Sequence, residues 1–151
     1  MTEIPRRLLE IGRSFEQAYK PVIDCDGWRV AMLRHFDAVD PESFRRVERH
    51  RKTNEVFILT TGQADLILCD GEAEPTAPQV LAMEAHVAYN VRRSVWHHVV
   101  MSAEAHIVLF ERSNTSSKNT DYADLSFEMA RDLRRRFVVG RRKPEASEAD
   151  Q

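Results

Sequence analysis

Two glutamates and a histidine stand close together just before a short apolar run. Glu48, His50 and Glu55 come first, the apolar run covers residues 56–59, and Gly62 follows it. Residues two apart share a face of an extended strand, so Glu48 and His50 point the same way. His50 and Glu55, five apart, would fall on opposite faces of one unbroken strand. The three side chains therefore converge only if the chain breaks between them.

The segment 52–54 supplies a plausible break. It ends in Asn54, a residue that tolerates tight turns and whose side chain binds local backbone. Glu55 would then begin a second strand and share a face with Phe57 and Leu59, which puts its carboxylate at the rim of an apolar interior. Imidazoles and carboxylates gathered in this way form a mixed nitrogen and oxygen site that suits Mn, Fe, Co, Ni or Zn.

A further histidine, His97, stands in the apolar run 95–101. His97 and His98 are adjacent, so a strand sends them to opposite faces and only one of them looks inward. His97 shares a face with Val95 and Val99, which favours the inner side. Trp96 would then pack on the outer wall or against a partner. The alternative interchanges the two faces and buries Trp96 in the interior.

Short runs with alternating apolar and polar residues, separated by turn signals, extend across the middle of the chain. The runs predicted as strands are 28–36, 56–59, 63–69, 80–83, 87–91, 95–101 and 107–111. Two prolines mark 72–79 as an exposed loop, and the polar stretch 113–124 is a second predicted loop. Strands of this length and spacing favour a sandwich or barrel.

Helices are predicted on both sides of these strands. Residues 6–19 carry apolar side chains close to helical spacing after Pro5, which predicts an amphipathic helix against the outside of the barrel. Residues 125–137 have apolar side chains at every fourth position and predict a second helix. The expected organisation is a helical segment (1–27), a β-barrel (28–112), a loop with the C-terminal helix (113–140) and a flexible tail (141–151).

The ligand pattern resembles the first motif of the cupin superfamily, small β-barrels that usually hold one divalent metal. That motif has two histidines one residue apart, then a Glu and a Gly. His50, Glu55 and Gly62 match the last three positions, and Glu48 stands where the first His is expected. The resemblance implies an all-β fold of the cupin type, a jelly-roll β-barrel, with the two helices added at its ends.

The second cupin motif has a fainter counterpart around His97. His97 matches the motif histidine, whereas Arg92 replaces Pro, Ser94 replaces Gly and Met101 replaces Asn. The resemblance implies that His97 joins the first motif at one metal. Tyr89 and Arg93 stand near it in sequence, and we interpret them as candidate substrate-binding groups or as structural residues.

The implied metal ligands are Glu48, His50, Glu55 and His97, and the implied cofactor is one divalent ion such as Mn, Fe, Ni or Zn. A carboxylate in place of an imidazole favours the harder ions Mn(II) and Fe(II). Alternatively, Glu48 is a solvated charge among the neighbouring arginines. Glu55, or Glu48 if it does not ligate, is the candidate catalytic base.

Two functions follow from the resemblance. In the first, the metal polarises a small oxygen-rich metabolite in an isomerase, lyase, dioxygenase or hydrolase reaction. In the second, the protein is a non-catalytic cupin, a ligand-binding or accessory protein with a degenerate metal site. A homodimer is expected, because the apolar side of residues 8–19 and the outer row that begins at Trp28 exceed what one sheet face needs.

Composition sets the remaining expectations. The 151 residues are 42% apolar and 30% charged with a formal charge of −2, as in an ordinary soluble domain. Residues 131–143 hold seven Arg or Lys against one Asp, which is more typical of a solvated helix face than of a nucleic-acid site. Two cysteines are too few for a disulfide scaffold, and no signal peptide or membrane-length run is recognisable. We therefore expect a cytoplasmic protein with no nucleic-acid or membrane partner.

Overall fold

A computed structural model describes residues 4–141, which form two five-stranded antiparallel sheets and one α-helix. From residue 142 onward the predicted flexible tail lies outside the described residues. The strands are β1 (Tyr19–Cys25), β2 (Trp28–Arg34), β3 (Arg46–His50), β4 (Glu55–Thr61), β5 (Ala64–Asp70), β6 (Thr76–Ala82), β7 (Ala88–Val91), β8 (Trp96–Met101), β9 (His106–Arg112) and β10 (Thr120–Asp124), and the helix is α1 (Phe127–Arg134). No helix within residues 4–141 has the length and apolar character needed to cross a membrane.

The two sheets face each other across the main apolar core. One sheet has the strand order β1-β2-β9-β4-β7 and the other β10-β3-β8-β5-β6. Alternate residues of each strand point inward, as the period of two requires. Leu33, Phe57, Leu66, Val99 and Leu109 are among the buried side chains of this core. The all-β sandwich or barrel predicted from the strand pattern is therefore confirmed.

A second apolar cluster lies on the outer face of the sheet that contains β8. Leu133 of α1 and Phe137 just after it pack with Trp96, Val100 and Phe44. The C-terminal helix is thus confirmed within the predicted range, and its role is to cover this outer face. The segment after the helix is held in place by Asp65, whose Oδ2 accepts hydrogen bonds from the backbone N–H groups of residues 138 and 139 at 2.8 and 2.9 Å.

The predicted N-terminal helix is wrong. The backbone makes a single turn, closed by the Leu8 N–H on the Pro5 carbonyl at 2.8 Å, and then runs irregularly until β1 begins at Tyr19. Gly12 weakens a helix there, and it lies so close to β1 that a Cβ would meet the Val22 carbonyl oxygen at 2.6 Å. Only Tyr19, the last residue of the predicted helix, belongs to β1, where it pairs with Leu33 of β2.

Both predicted loops contain strands that alternation did not reveal. The second half of 72–79 belongs to β6, which pairs with β5 and lies at a sheet edge, where Pro78 needs no ladder hydrogen bond on its open side. The end of 113–124 is β10, which pairs with β3 along its whole length. Two strands, β1 and β10, thus lie outside the range 28–112 predicted for the barrel.

The homodimer stays a prediction, and its predicted contact surface includes exposed apolar side chains of the N-terminal segment. Ile11 and Phe15 are 73% and 75% exposed, and large exposed apolar groups close together are typical of interaction sites. We expect a sedimentation mass about twice the 17.5 kDa of one chain. Phe15→Asp should shift the mass toward one chain, whereas Lys20→Asp should leave it unchanged. A single-chain mass for the unaltered protein at micromolar concentration would contradict the prediction.

Candidate metal centre

The predicted chain break separates β3, which ends at His50, from β4, which begins at Glu55. The loop that leads into β8 is hydrogen-bonded to this break at two points. The Ser94 N–H donates to the His50 carbonyl at 2.9 Å, and the Arg93 N–H donates to the Asn54 side-chain oxygen at 2.8 Å. The two motif segments are therefore joined directly through the backbone.

Strand register brings the ionisable side chains together at one end of the barrel. Glu48 of β3 lies opposite His97 of β8, and His50 lies opposite Thr120 of β10. Glu55 begins β4 in the facing sheet. Its carboxylate enters the same space from the other side, since the inner faces of the two sheets look toward each other.

Glu48, His50, Glu55 and His97 form one compact cluster. A ligand atom from each lies within 4.8 Å of every other. Nε2 of His50 and Nε2 of His97 lie 3.1 and 2.9 Å from the same Glu55 oxygen, Oε2. Glu48 Oε1 is 3.9 Å from His50 Nε2, and its side chain, 33% exposed, is the most open of the four. The structure therefore brings together all four predicted ligands and turns Glu48 toward His50.

Both imidazoles are oriented by a hydrogen bond at Nδ1. His97 Nδ1 lies 2.8 Å from the Val95 carbonyl, and His50 Nδ1 lies 2.9 Å from the Thr120 hydroxyl. A carbonyl only accepts, so Nδ1 of His97 carries a hydrogen and a neutral ring directs the bare lone pair of Nε2 at Glu55. Two acceptors at 2.9 Å repel unless a cation or a proton lies between them. This donor set fits a divalent metal, because metal-bound histidines are commonly fixed through their other nitrogen.

The charges of the cluster act strongly on one another. Burial disfavours a charged Glu55, but when Nε2 of His50 and of His97 carries a proton, hydrogen bonds from the two rings outweigh burial and hold the pKa of Glu55 at about 2. Burial also disfavours a charged His50, yet Glu55 and the carboxylates around it raise the pKa of His50. Burial, followed by the charge of Glu55, raises the pKa of Glu48. The carboxylates of Glu48 and Glu55 thus repel each other and favour a positive charge, a proton or a cation, between them and the imidazoles.

Four further residues at the site carried no motif in the sequence. Glu111 of β9 is buried and faces the cluster, with the Tyr19 hydroxyl and Arg29 beside it, and Thr120 orients His50. All four line a cavity of about 990 Å³ that contains the predicted ligands. The inward position of Glu111 could have been predicted from alternation, because it shares a face of β9 with the buried apolar residues at positions 107 and 109. Tyr19 and Thr120 lie on β1 and β10, two strands outside every run predicted from the sequence.

Tyr89 and Arg93 lie away from this cavity. The Tyr89 hydroxyl accepts a hydrogen bond from the Glu84 N–H at 2.9 Å, and its ring packs against the main core. Arg93 is exposed in the loop before β8. Neither residue is among those that line the cavity, and their role in substrate binding stays a prediction.

The motif positions with altered residues keep the motif's backbone. Ser94, in place of Gly, has a φ of 66°, the left-handed conformation that a glycine would adopt without cost. Gly62 itself has a φ of 78°, and a Cβ there would lie 2.5 Å from Ala105 Cα. Met101, in place of Asn, is fully buried in the main core. The barrel thus accommodates these substitutions and retains the turn that leads into β8, the strand of His97.

No protein-family model matches the chain, and no curated protein matches it. Solved structures do resemble it. A Streptomyces PAC13 variant with uridine is 12% identical, with 78% of this chain and 88% of that chain covered and a TM-score of 0.54. A cupin-2 domain protein from Shewanella frigidimarina NCIMB 400 is 20% identical, with 65% and 84% covered and a TM-score of 0.49. Oxalate oxidase in complex with the substrate analogue glycolate is 11% identical, with 64% of this chain and 45% of that chain covered and a TM-score of 0.45.

The fold can be assigned from these observations together. Two facing five-stranded antiparallel sheets form the barrel, and His50, Glu55 and His97 meet inside one end of it. Gly62 and Ser94 hold the left-handed turns that the two motifs require. The chain therefore has the cupin fold.

Proposed function

We propose that this protein binds one divalent first-row metal ion and acts on a small oxygen-rich metabolite. The observation that carries the proposal is the approach of His50 Nε2 and His97 Nε2 to the same Glu55 oxygen, at 3.1 and 2.9 Å. His50, Glu55 and His97 would hold the ion, with Glu48 as a fourth ligand. Three protein ligands with an open position are enough for a catalytic metal.

The bound ion would supply Lewis-acid chemistry, by stabilising negative charge that develops on a carbonyl or enolate oxygen. Thr120 and the Val95 carbonyl keep both imidazoles turned toward the cavity. Glu55 Oε2 is held between the two rings, so in a centre where Glu48 does not ligate the ion, this more exposed carboxylate is the better placed proton acceptor. This chemistry serves isomerases, lyases, dioxygenases and hydrolases alike, and the fold does not favour one of them.

Metal uptake separates this proposal from its alternative, a non-catalytic cupin that binds a ligand in the same cavity. The alternative is supported by the carboxylate of Glu48 in place of a motif histidine. After purification without a chelator, we expect up to one equivalent of a first-row metal by mass spectrometry. Added Mn, Fe, Ni or Zn should raise the melting temperature of metal-depleted protein. No bound metal and no thermal shift with any of the four would contradict the proposal.

Glu48→His tests whether Glu48 is a ligand. If it is, the variant should retain the metal and shift its preference from Mn toward Zn and Ni, because imidazole suits the softer ions. We expect the ratio of Zn to Mn affinity to rise by about tenfold or more, measured by competition titration. An unchanged ratio, with stability altered by no more than about 0.5 kcal/mol as for a surface substitution, would assign Glu48 to the solvated charges. Glu128→His on the exposed face of α1 is the matched control.

A further inference from the structure

Glu111 is a third carboxylate beside the proposed metal centre, after Glu48 and Glu55, and is not needed to hold the ion. Its side chain points inward from β9 and is almost fully buried. Its Oε2 lies 4.0 Å from His50 Nε2. Within residues 4–141, no hydrogen-bond donor reaches this oxygen. One carboxylate oxygen is therefore presented to the cavity next to the ligand cluster.

The other oxygen of Glu111 is fixed. The Tyr19 hydroxyl donates to Oε1, and Arg29 Nη1 lies 3.4 Å from it. The Arg29 guanidinium is itself held by the loop after β9, since Nη2 donates to the Ser113 carbonyl at 2.7 Å. Arg29 is thus engaged in positioning Glu111. It is not a free cation that would attract an anionic ligand.

The charges around the centre are balanced before any ligand enters. Three carboxylates, those of Glu48, Glu55 and Glu111, stand against Arg29 and one divalent ion. The other arginines that line the cavity, Arg45 and Arg46, are exposed at its mouth, and Arg46 pairs with Asp124 at 2.7 Å. A ligand at the centre therefore need not carry charge, and an anionic oxygen beside Oε2 would lie at close range to a carboxylate oxygen.

We propose that the substrate is a neutral, hydroxyl-bearing molecule, a polyol or sugar, with one hydroxyl donating to Glu111 Oε2. This inference rests on the proposed metal-dependent function and names the substrate class for that site. The cavity suits such a molecule, because the hydroxyl-bearing residues Thr115, Ser116 and Tyr122 and the apolar residues Phe36 and Leu109 are among those that line it. Hydroxyl donors and a carboxylate acceptor recognise O–H groups, and the apolar side can cover C–H faces.

A series with one carbon skeleton and different charge tests the proposal. Ribitol and D-ribose are neutral, whereas D-ribonate and D-ribose 5-phosphate carry a carboxylate and a phosphate. Each is titrated by calorimetry into metal-loaded protein whose metal content has first been measured. We expect the neutral pair to bind at least tenfold more tightly than the anionic pair. Equal or tighter binding of the anions, or no binding of any of the four at millimolar concentration, would overturn the proposal.

Two variants assign the preference to Glu111. Glu111→Gln removes the negative charge and should bring the ratio of neutral to anionic affinity down toward one. Tyr19→Phe keeps the charge but releases Oε1, so it should retain the preference while weakening the neutral ligands by several-fold. Glu128→Gln on α1 should change neither quantity. A wild-type ratio in Glu111→Gln would refute the role of this residue.

The two proposals fail in different ways. Absence of metal from purified protein, together with no thermal shift on its addition, counts against the metal function. Full metal content combined with a preference for the anionic pair counts against the neutral substrate class alone.

Discussion

His97→Ala is expected to abolish stable metal binding, lowering affinity by more than about 100-fold. Loss of a group that merely orients a ligand typically costs 10–100-fold, and this substitution removes a ligand outright. It also takes away one of the two imidazoles that contact Glu55 Oε2. Inductively coupled plasma mass spectrometry of protein purified without chelator gives the metal content directly.

The control for this variant is His106→Ala. His106 lies at the opposite end of β9 from Glu111 and outside the residues that line the cavity. It should retain the metal content of the unaltered protein. Full occupancy in His97→Ala, with circular dichroism showing an intact fold, would mean that the ion binds elsewhere or not through this histidine.

Trp96→Ala is expected to do the reverse: large loss of stability with metal binding retained. The Trp96 side chain is 3% exposed and packs in the outer cluster under α1. Its indole N–H donates to the Gly71 carbonyl at 3.1 Å, and the Arg49 guanidinium lies 4.3 Å from its ring centre. Truncation of a buried aromatic side chain costs about 4 kcal/mol. Metal affinity at low temperature should change by less than about threefold, because the side chain points away from the centre.

Urea unfolding of the metal-depleted protein measures this effect, and Trp28→Ala provides the comparison. Trp28, the other tryptophan of the chain, is 48% exposed on an outer face of β2. Its truncation should cost less than about 1 kcal/mol. Equal losses of stability in the two variants would contradict the assignment of Trp96 to a buried outer cluster.

The opposite effects expected for neighbours in sequence show what alternation can predict. His97 was assigned to the inner face because Val95 and Val99 share its parity, and the structure confirms it. Trp96 is predicted on the outer wall, which is also confirmed, but it is buried there within the outer cluster that includes residues of α1. Alternation along a strand predicts on which face of the sheet a side chain lies. It does not predict whether another element covers that face, because the covering element is distant in sequence.

The same limit explains which parts of the site escaped prediction. Glu48, His50 and Glu55 are local to one break in the chain, so spacing was sufficient to group them. Thr120 reaches His50 only because β10 pairs with β3 across a separation of 70 residues. Tyr19 meets Glu111 across 92 residues. Pairings of this range are set by tertiary register, and the polar composition of β10 gave no periodic signal.

The strand that carries His97 is buried on both faces, by the barrel core on one side and by α1 with its following segment on the other. An antiparallel strand usually keeps one face toward water. Local opening near His97 therefore has to expose two apolar layers at once, which places β8 among the last parts of the barrel to exchange its amide hydrogens. Packing of the C-terminal segment and binding of the metal are then thermodynamically linked. A metal ion that binds only the closed barrel also stabilises the packing of α1, although the ion does not contact the helix.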